Sequence, residues 1–191
     1  MARTQAEDYG EKREAIVTEA AKLFAARGFD GASLADLADA CGMSKSLFYH
    51  YYPSKEQVLF AVMDGHMEAL LTAIEAAPAR DPAYALRSFA RTLLRLYAGA
   101  ADRQKVLLYE LARLPAAERR QIVAKERKLI AYVEDILGRA AHQTEKPALR
   151  AKAMLFFGML NWTHTWLKPR DGLSRDEVAD LASRTILAAP Q

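Results

Sequence analysis

The chain contains one cysteine, Cys41. A disulfide framework and any metal site built on several thiolates are therefore excluded. It has no Gly-rich phosphate loop, no paired carboxylates at a spacing suited to acid–base chemistry, and no arguable Ser-His-Asp order. His66, His142 and His164 have no metal-ligand partner spacing. Nothing thus marks an enzyme, a metal site or a cofactor site. No apolar run is long enough to cross a bilayer. The opening residues Met1-Ala2-Arg3-Thr4-Gln5-Ala6-Glu7-Asp8 hold no apolar stretch of the signal-peptide kind, so the expected compartment is the cytoplasm. An excess of one charge is also missing. The 27 Lys and Arg face 24 Asp and Glu, a net +3, which excludes an acidic tail and a histone-like polycation. The alternating β-branched and aromatic pattern of strands is nearly absent.

What is present is Ala, Leu, Arg and Glu in a chain of 191 residues that is 51% hydrophobic, enough for a real core. The pattern predicts an all-α fold of about nine helices. Gly28 closes a first helix from near Tyr9, with Ile16, Ala20 and Phe24 as its buried stripe. Short helices fill 33–40 and 44–51. Pro53 precedes a longer helix that starts at the capping box Ser54-Lys55-Glu56-Gln57 and reaches about Ala77. Helices are then expected over 82–99, 103–114, 116–141, 147–168 and 174–188, punctuated by Pro115, Pro147, Pro169 and Gly172, with Gly99 and Gly138 as helix ends.

The stretch from Ser33 to Tyr52 reads as helix, turn, helix. Leu34, Leu37 and Ala38 give the first helix an apolar face, and Gly42 stands where the backbone must leave it. Ser44 caps the second helix, whose Phe48 and Tyr52 should pack inward. Its other face offers Ser44, Lys45, Ser46, Tyr49 and His50, and no acid. A helix-turn-helix presents the N-terminal part of its second helix to the DNA major groove. Small serines permit close approach, and Lys45 can reach a guanine edge or a phosphate. Tyr49 and His50 can reach phosphate oxygens, which fix orientation. Ser33 and Lys55 begin flanking helices, where a phosphate is favoured. Total charge does not point here: residues 1–55 carry seven basic against eight acidic side chains. The distribution does, with the acids expected off the DNA face.

Tyr9 to about Leu70, about a third of the chain, resembles the DNA-binding domain of TetR-type repressors. The matching pieces are Ala20-Ala21-Lys22-Leu23-Phe24 with Arg27-Gly28-Phe29, then 33–40, then Gly42-Met43-Ser44-Lys45-Ser46-Leu47-Phe48-Tyr49-His50-Tyr51-Tyr52-Pro53-Ser54-Lys55-Glu56. Tyr52 replaces the commoner Phe. The resemblance implies DNA contacts from Ser33, Ser44, Lys45, Ser46, Tyr49, His50 and Lys55. It also implies a helix-turn-helix domain over 9–70, with the motif at 33–52, and an effector-binding and dimerisation domain over 78–189. The expected protein is a homodimeric repressor that binds a palindromic operator and is released by a small molecule, without enzymatic activity or cofactor.

Phe156-Phe157-Gly158-Met159-Leu160-Asn161-Trp162-Thr163-His164-Thr165-Trp166-Leu167-Lys168-Pro169 and Leu173-Ser174-Arg175-Asp176-Glu177 are similar to the branch of that family governing fatty-acid, steroid and phenylacetate degradation. The usual Tyr after the second Trp is Leu167. The resemblance implies an acyl-CoA effector. Phe89, Leu93, Leu96 and Tyr97 recur on one helical face and could line an acyl slot, with Tyr109 opposite. Trp166, Lys168 and Arg170 could take the adenine and phosphates. Trp162 and Trp166 stand between two readings, a ligand wall and the dimer interface or core around Phe157. Two other functions stay open: an acyl-CoA-binding helical enzyme, and a DNA-binding protein without effector.

Overall fold

The computed structural model describes residues 2–75, 81–141, 145–168 and 172–188. Within them the chain forms nine α-helices, one 3-10 turn and no strand: α1 (Ala2–Arg27), α2 (Leu34–Ala40), α3 (Lys45–Tyr51), α4 (Lys55–Glu75), α5 (Pro82–Gly99), α6 (Ala101–Glu110), the 3-10 turn Leu111–Arg113, α7 (Ala116–Ala141), α8 (Lys146–Trp166) and α9 (Arg175–Ala188). Most boundaries follow local chemistry. Gly28, at φ 73°, takes the left-handed conformation that ends α1. Asp81 accepts from the amides of Ala83 and Tyr84 and caps α5, with Pro82 at its first position. Ser174 and Glu177 cap α9 reciprocally.

Three expectations need correction. The first helix starts at Ala2, not near Tyr9. Gly138 lies inside α7 and ends nothing, because the tertiary packing of Val133, Ile136 and Leu137 outweighs about 1 kcal/mol of glycine propensity. The helix expected over 103–114 ends as an α-helix at Glu110 and tightens into the 3-10 turn before Pro115.

The chain divides into two compact units, and the division is not a single cut. The first runs to His66 and takes back Asp102–Ile122; the second holds Met67–Ala101 and everything from Val123 onward. Charged bonds explain why α6 rejoins the first unit. Arg103 bonds Glu14 and Thr18 on α1, Lys105 donates to the Ala25 carbonyl at 2.6 Å, and Arg113 pairs with Asp30. His66 and Gln104 meet in its interior. Its core is Ile16, Ala20, Phe24, Leu37, Phe48, Leu59 and Val62.

In the second unit α5 packs on α8 and α9. The buried side chains are Leu86, Phe89, Leu93 and Tyr97 on α5, Phe156, Phe157 and Leu160 on α8, and Val178, Ala182 and Ile186 on α9. Arg91 holds Asp180 bidentately at 2.7 and 2.6 Å, and Arg95 pairs with Asp176. The Arg91 bond holds the Asp180 carboxyl below the usual carboxylate range.

Candidate nucleic-acid interface

The turn between α2 and α3 is built by short-range bonds. Ser33 caps α2: its Oγ accepts from the Asp36 amide at 3.1 Å, and Asp36 Oδ2 accepts from the Ser33 amide at 2.8 Å. Those bonds to Ser33 also hold the Asp36 carboxyl below its ordinary range. At the other end Cys41, Gly42 and Met43 return their amides to Leu37, Asp39 and Ala38 carbonyls. Gly42, at φ 62°, makes that closure possible. Ser44 then caps α3, accepting from the Leu47 amide at 3.3 Å. Leu37, Ala38 and Phe48 pack beneath the turn and fix the crossing of the two helices.

Phe48, Tyr51 and Tyr52 are buried under α3. Tyr52 is not on the helix, as its spacing suggested, but caps it in extended conformation. Its hydroxyl accepts from Arg13 Nε at 3.3 Å, a use the commoner Phe could not offer. Lys45, Ser46, Leu47, Tyr49 and His50 are exposed. The outward face is therefore a cation, hydroxyls, an imidazole and one leucine, with no carboxylate between Ser44 and Lys55. Such a surface can donate to phosphates and base edges without repelling the DNA backbone.

Lys55 departs from expectation. Its ammonium donates to the Phe29 and Ala32 carbonyls, both at 2.8 Å, and lies 4.1 Å from the centre of the Phe29 ring. It ties the α1–α2 loop to the start of α4 rather than standing free for a phosphate. Two residues escaped the sequence reading. Leu47 lies on the outward side of α3. Tyr9 stacks on Tyr51 at 4.9 Å and meets the His50 ring edge-on at 6.0 Å, steadying the C-terminal half of α3. The acid-free run could have pointed to Leu47; a stack between α1 and α3 leaves no local signal.

The expected ligand residues are not gathered in one unit. Phe89 and Leu93 are fully buried, Tyr97 nearly so and Leu96 half-buried. The Phe89 ring packs on Tyr132 at 4.9 Å and on Phe157 at 6.4 Å, so its part in this unit is core. Tyr109 belongs to the other unit and is exposed. Trp162 and Trp166 lie on the exposed side of α8, away from Phe156 and Leu160. Phe157, expected at a subunit interface, is buried in its own unit. Lys168 lines a cleft of about 380 Å³ with Ser174 and Arg175 at the α8–α9 turn. Arg170 lies outside the described residues.

Comparison with known proteins places both halves. Residues 16–62 match the family described as bacterial regulatory proteins, tetR family, and residues 79–189 match the tetracyclin repressor-like C-terminal domain. A TetR-family transcriptional regulator from Bordetella parapertussis 12822 is 36% identical, covers 92% of this chain and 94% of its own, and superposes with a TM-score of 0.86. AibR, solved in complex with isovaleryl coenzyme A and operator DNA, is 30% identical over 91% of this chain and 97% of its own, with a TM-score of 0.79. The HTH-type transcriptional regulator EthR of Mycolicibacterium smegmatis is 38% identical over 90 residues, 44% of this chain and 41% of that protein. The Bacillus subtilis regulator YuxN matches over 34% of this chain, and the match spans only 22% of that relative's length.

Proposed function

The chain belongs to the TetR family of transcriptional regulators, and from that premise we propose that it is a homodimeric repressor whose grip on a palindromic operator is weakened by an acyl-CoA. The observation that carries the DNA half is the acid-free outward face of α3, set on a capped and glycine-closed turn. Ser44, Lys45, Ser46, Tyr49 and His50 are the contacts, Lys45 reading a base edge and the others seating the backbone. Ser33 serves as the cap that aims α2, since its side chain is engaged with Asp36.

Dimerisation is supported by apolar side chains left in water on α8 and α9. Leu155, at 65% exposed, Met154, Trp162 and Trp166 share α8, and Leu181 stands on α9. A single such residue is ordinary; a run along one helix face marks an interaction surface. The exposure of Trp162 and Trp166 on that face supports the dimer seam over the ligand wall for the two tryptophans. Gly158 lies on the same face with open space around it, which permits close approach of a partner helix. Two recognition helices then address half-sites about one helical turn apart, or a related spacing.

The effector reading is supported by the likeness to AibR, a protein solved with isovaleryl coenzyme A and operator DNA together, and by the cleft at the α8–α9 turn, which Arg175 lines together with Lys168 and Glu177. Occupancy by both ligands in that relative means that the measurable quantity is a ratio of affinities, not exclusion. Action in the cytoplasm follows from the same reading, and no described helix is long and apolar enough to cross a membrane. The test begins with selection of duplexes from a randomised library by the purified protein. The selected operator is then titrated with and without isovaleryl-CoA, a long-chain acyl-CoA, and the free acids. A thioester that weakens operator binding about 5- to 150-fold, where its free acid does not, supports the proposal. No enriched sequence overturns the DNA reading. An operator indifferent to every thioester overturns the effector reading alone.

A further inference from the structure

Every outward residue of α3 but one carries a hydrogen-bonding or charged group. The exception, Leu47, is 43% exposed in the first turn of the helix, beside Ser46 and one turn before His50 and Tyr51. It is not among the buried core residues, whereas its helix neighbours Phe48 and Tyr51 are. An isolated surface leucine needs no explanation. This one stands in the N-terminal turn of the helix, the part that meets base edges in a helix-turn-helix. Of the groups displayed in the major groove, the C5-methyl of thymine is the one that projects substantial apolar surface. Against any other base edge a leucine would desolvate a donor or acceptor and return nothing.

Resting on the DNA-binding reading above, we propose that Leu47 is a specificity-determining residue that reads the 5-methyl group of one thymine in each half-site. Lys45 and Ser46 beside it supply polar contacts, so the helix pairs one methyl-reading position with neighbours that read hydrogen bonds. The contact is a van der Waals one. It is blind to salt and to the phosphate backbone, and it disappears when a single methyl group is removed from the DNA.

The experiment uses the full-length protein and the operator selected from a randomised duplex library. Each thymine of a half-site is replaced in turn by 2′-deoxyuridine, which removes the methyl and leaves every hydrogen bond. Binding is measured for the parent, Leu47→Ala and Leu47→Asn. The expected result is one position per half-site at which deoxyuridine weakens the parent about fourfold, the factor that burial of one methyl is worth. Leu47→Ala binds both operators alike at that position, and Leu47→Asn shifts its preference there toward adenine. A parent that tolerates deoxyuridine everywhere overturns the proposal. So does a selected half-site without thymine, or a Leu47→Ala protein with undiminished sensitivity. Failure to select any sequence is a different outcome: it removes the DNA reading, and this proposal with it.

Discussion

His66 is 2% exposed between α4 and α6, with Nε2 2.7 Å from Gln104 Oε1. An amide oxygen can only accept, so the imidazole donates from Nε2. Burial pushes its pKa below the ordinary histidine value; the Gln104 bond pulls upward and the nearby Arg103 charge pushes down again. A buried histidine held low takes up its proton later than the unfolded chain does. Its contribution to stability is therefore complete above about pH 6.5 and is lost as pH falls toward the folded value. Urea unfolding should show a lower midpoint at pH 5.5 than at pH 7.5, with a slope no steeper than ~1.4 kcal/mol per pH unit from this group. His66→Gln, which keeps a donor for Gln104, should flatten that slope. An unchanged slope would place the acid sensitivity elsewhere. Nothing local announced this pair. A histidine in an apolar helix reads the same whether it faces water or a glutamine 38 residues away. Gly42 and Ser44, whose roles are set by the next few positions, are legible for the opposite reason: a cap or a left-handed glycine acts within one turn.

At the level of elements, α4 begins by holding another loop in place. The sequence points to Lys55 as a phosphate contact because backbone amides and the helix dipole favour a phosphate at a helix start. The structure gives its ammonium to the carbonyls of Phe29 and Ala32. The two roles make different predictions. Lys55→Met should destabilise the folded protein by about 1–2 kcal/mol, since charge-assisted bonds are lost and two part-buried carbonyls are left to water. The salt dependence of operator binding should stay as it is. A slope shallower by about one unit, with unchanged thermal stability, would return Lys55 to the phosphate backbone. The helix order, the α2–α3 turn and the Pro82, Pro115 and Ser174 starts were all readable, since each depends on local punctuation. The membership of α6 was not. Arg103, Lys105 and Arg113 look like a solvated charged face, and only the fold brings Glu14, Ala25 and Asp30 to meet them.

For the whole molecule, the deciding question is what covers α8 and α9. Phe157 was the sequence-based choice for the subunit seam, being a large apolar residue in a helix hydrophobic on much of its circumference. It is instead packed on Phe89 and Phe156 inside its own unit. Periodicity shows that a helix has two apolar sides but cannot say which one faces its own bundle. The proposed seam is the other side, carrying Leu155, Trp162 and, on α9, Leu181. A glutamate at either position breaks something, but not the same thing. Phe157→Glu puts an unpaired charge into the core and should unfold the protein. Leu155→Glu leaves the monomer's core untouched, since that side chain meets water already. It should keep native helicity and a cooperative melt while sedimenting as a monomer at micromolar concentration. Operator binding by that monomer should fall to weak association with a shallower salt dependence than the parent's, because one recognition helix with few cations gains little from the phosphate backbone alone. A Leu155→Glu protein that stays dimeric and binds the operator like the parent would move the seam off this face. The apolar run on α8 would then need another partner.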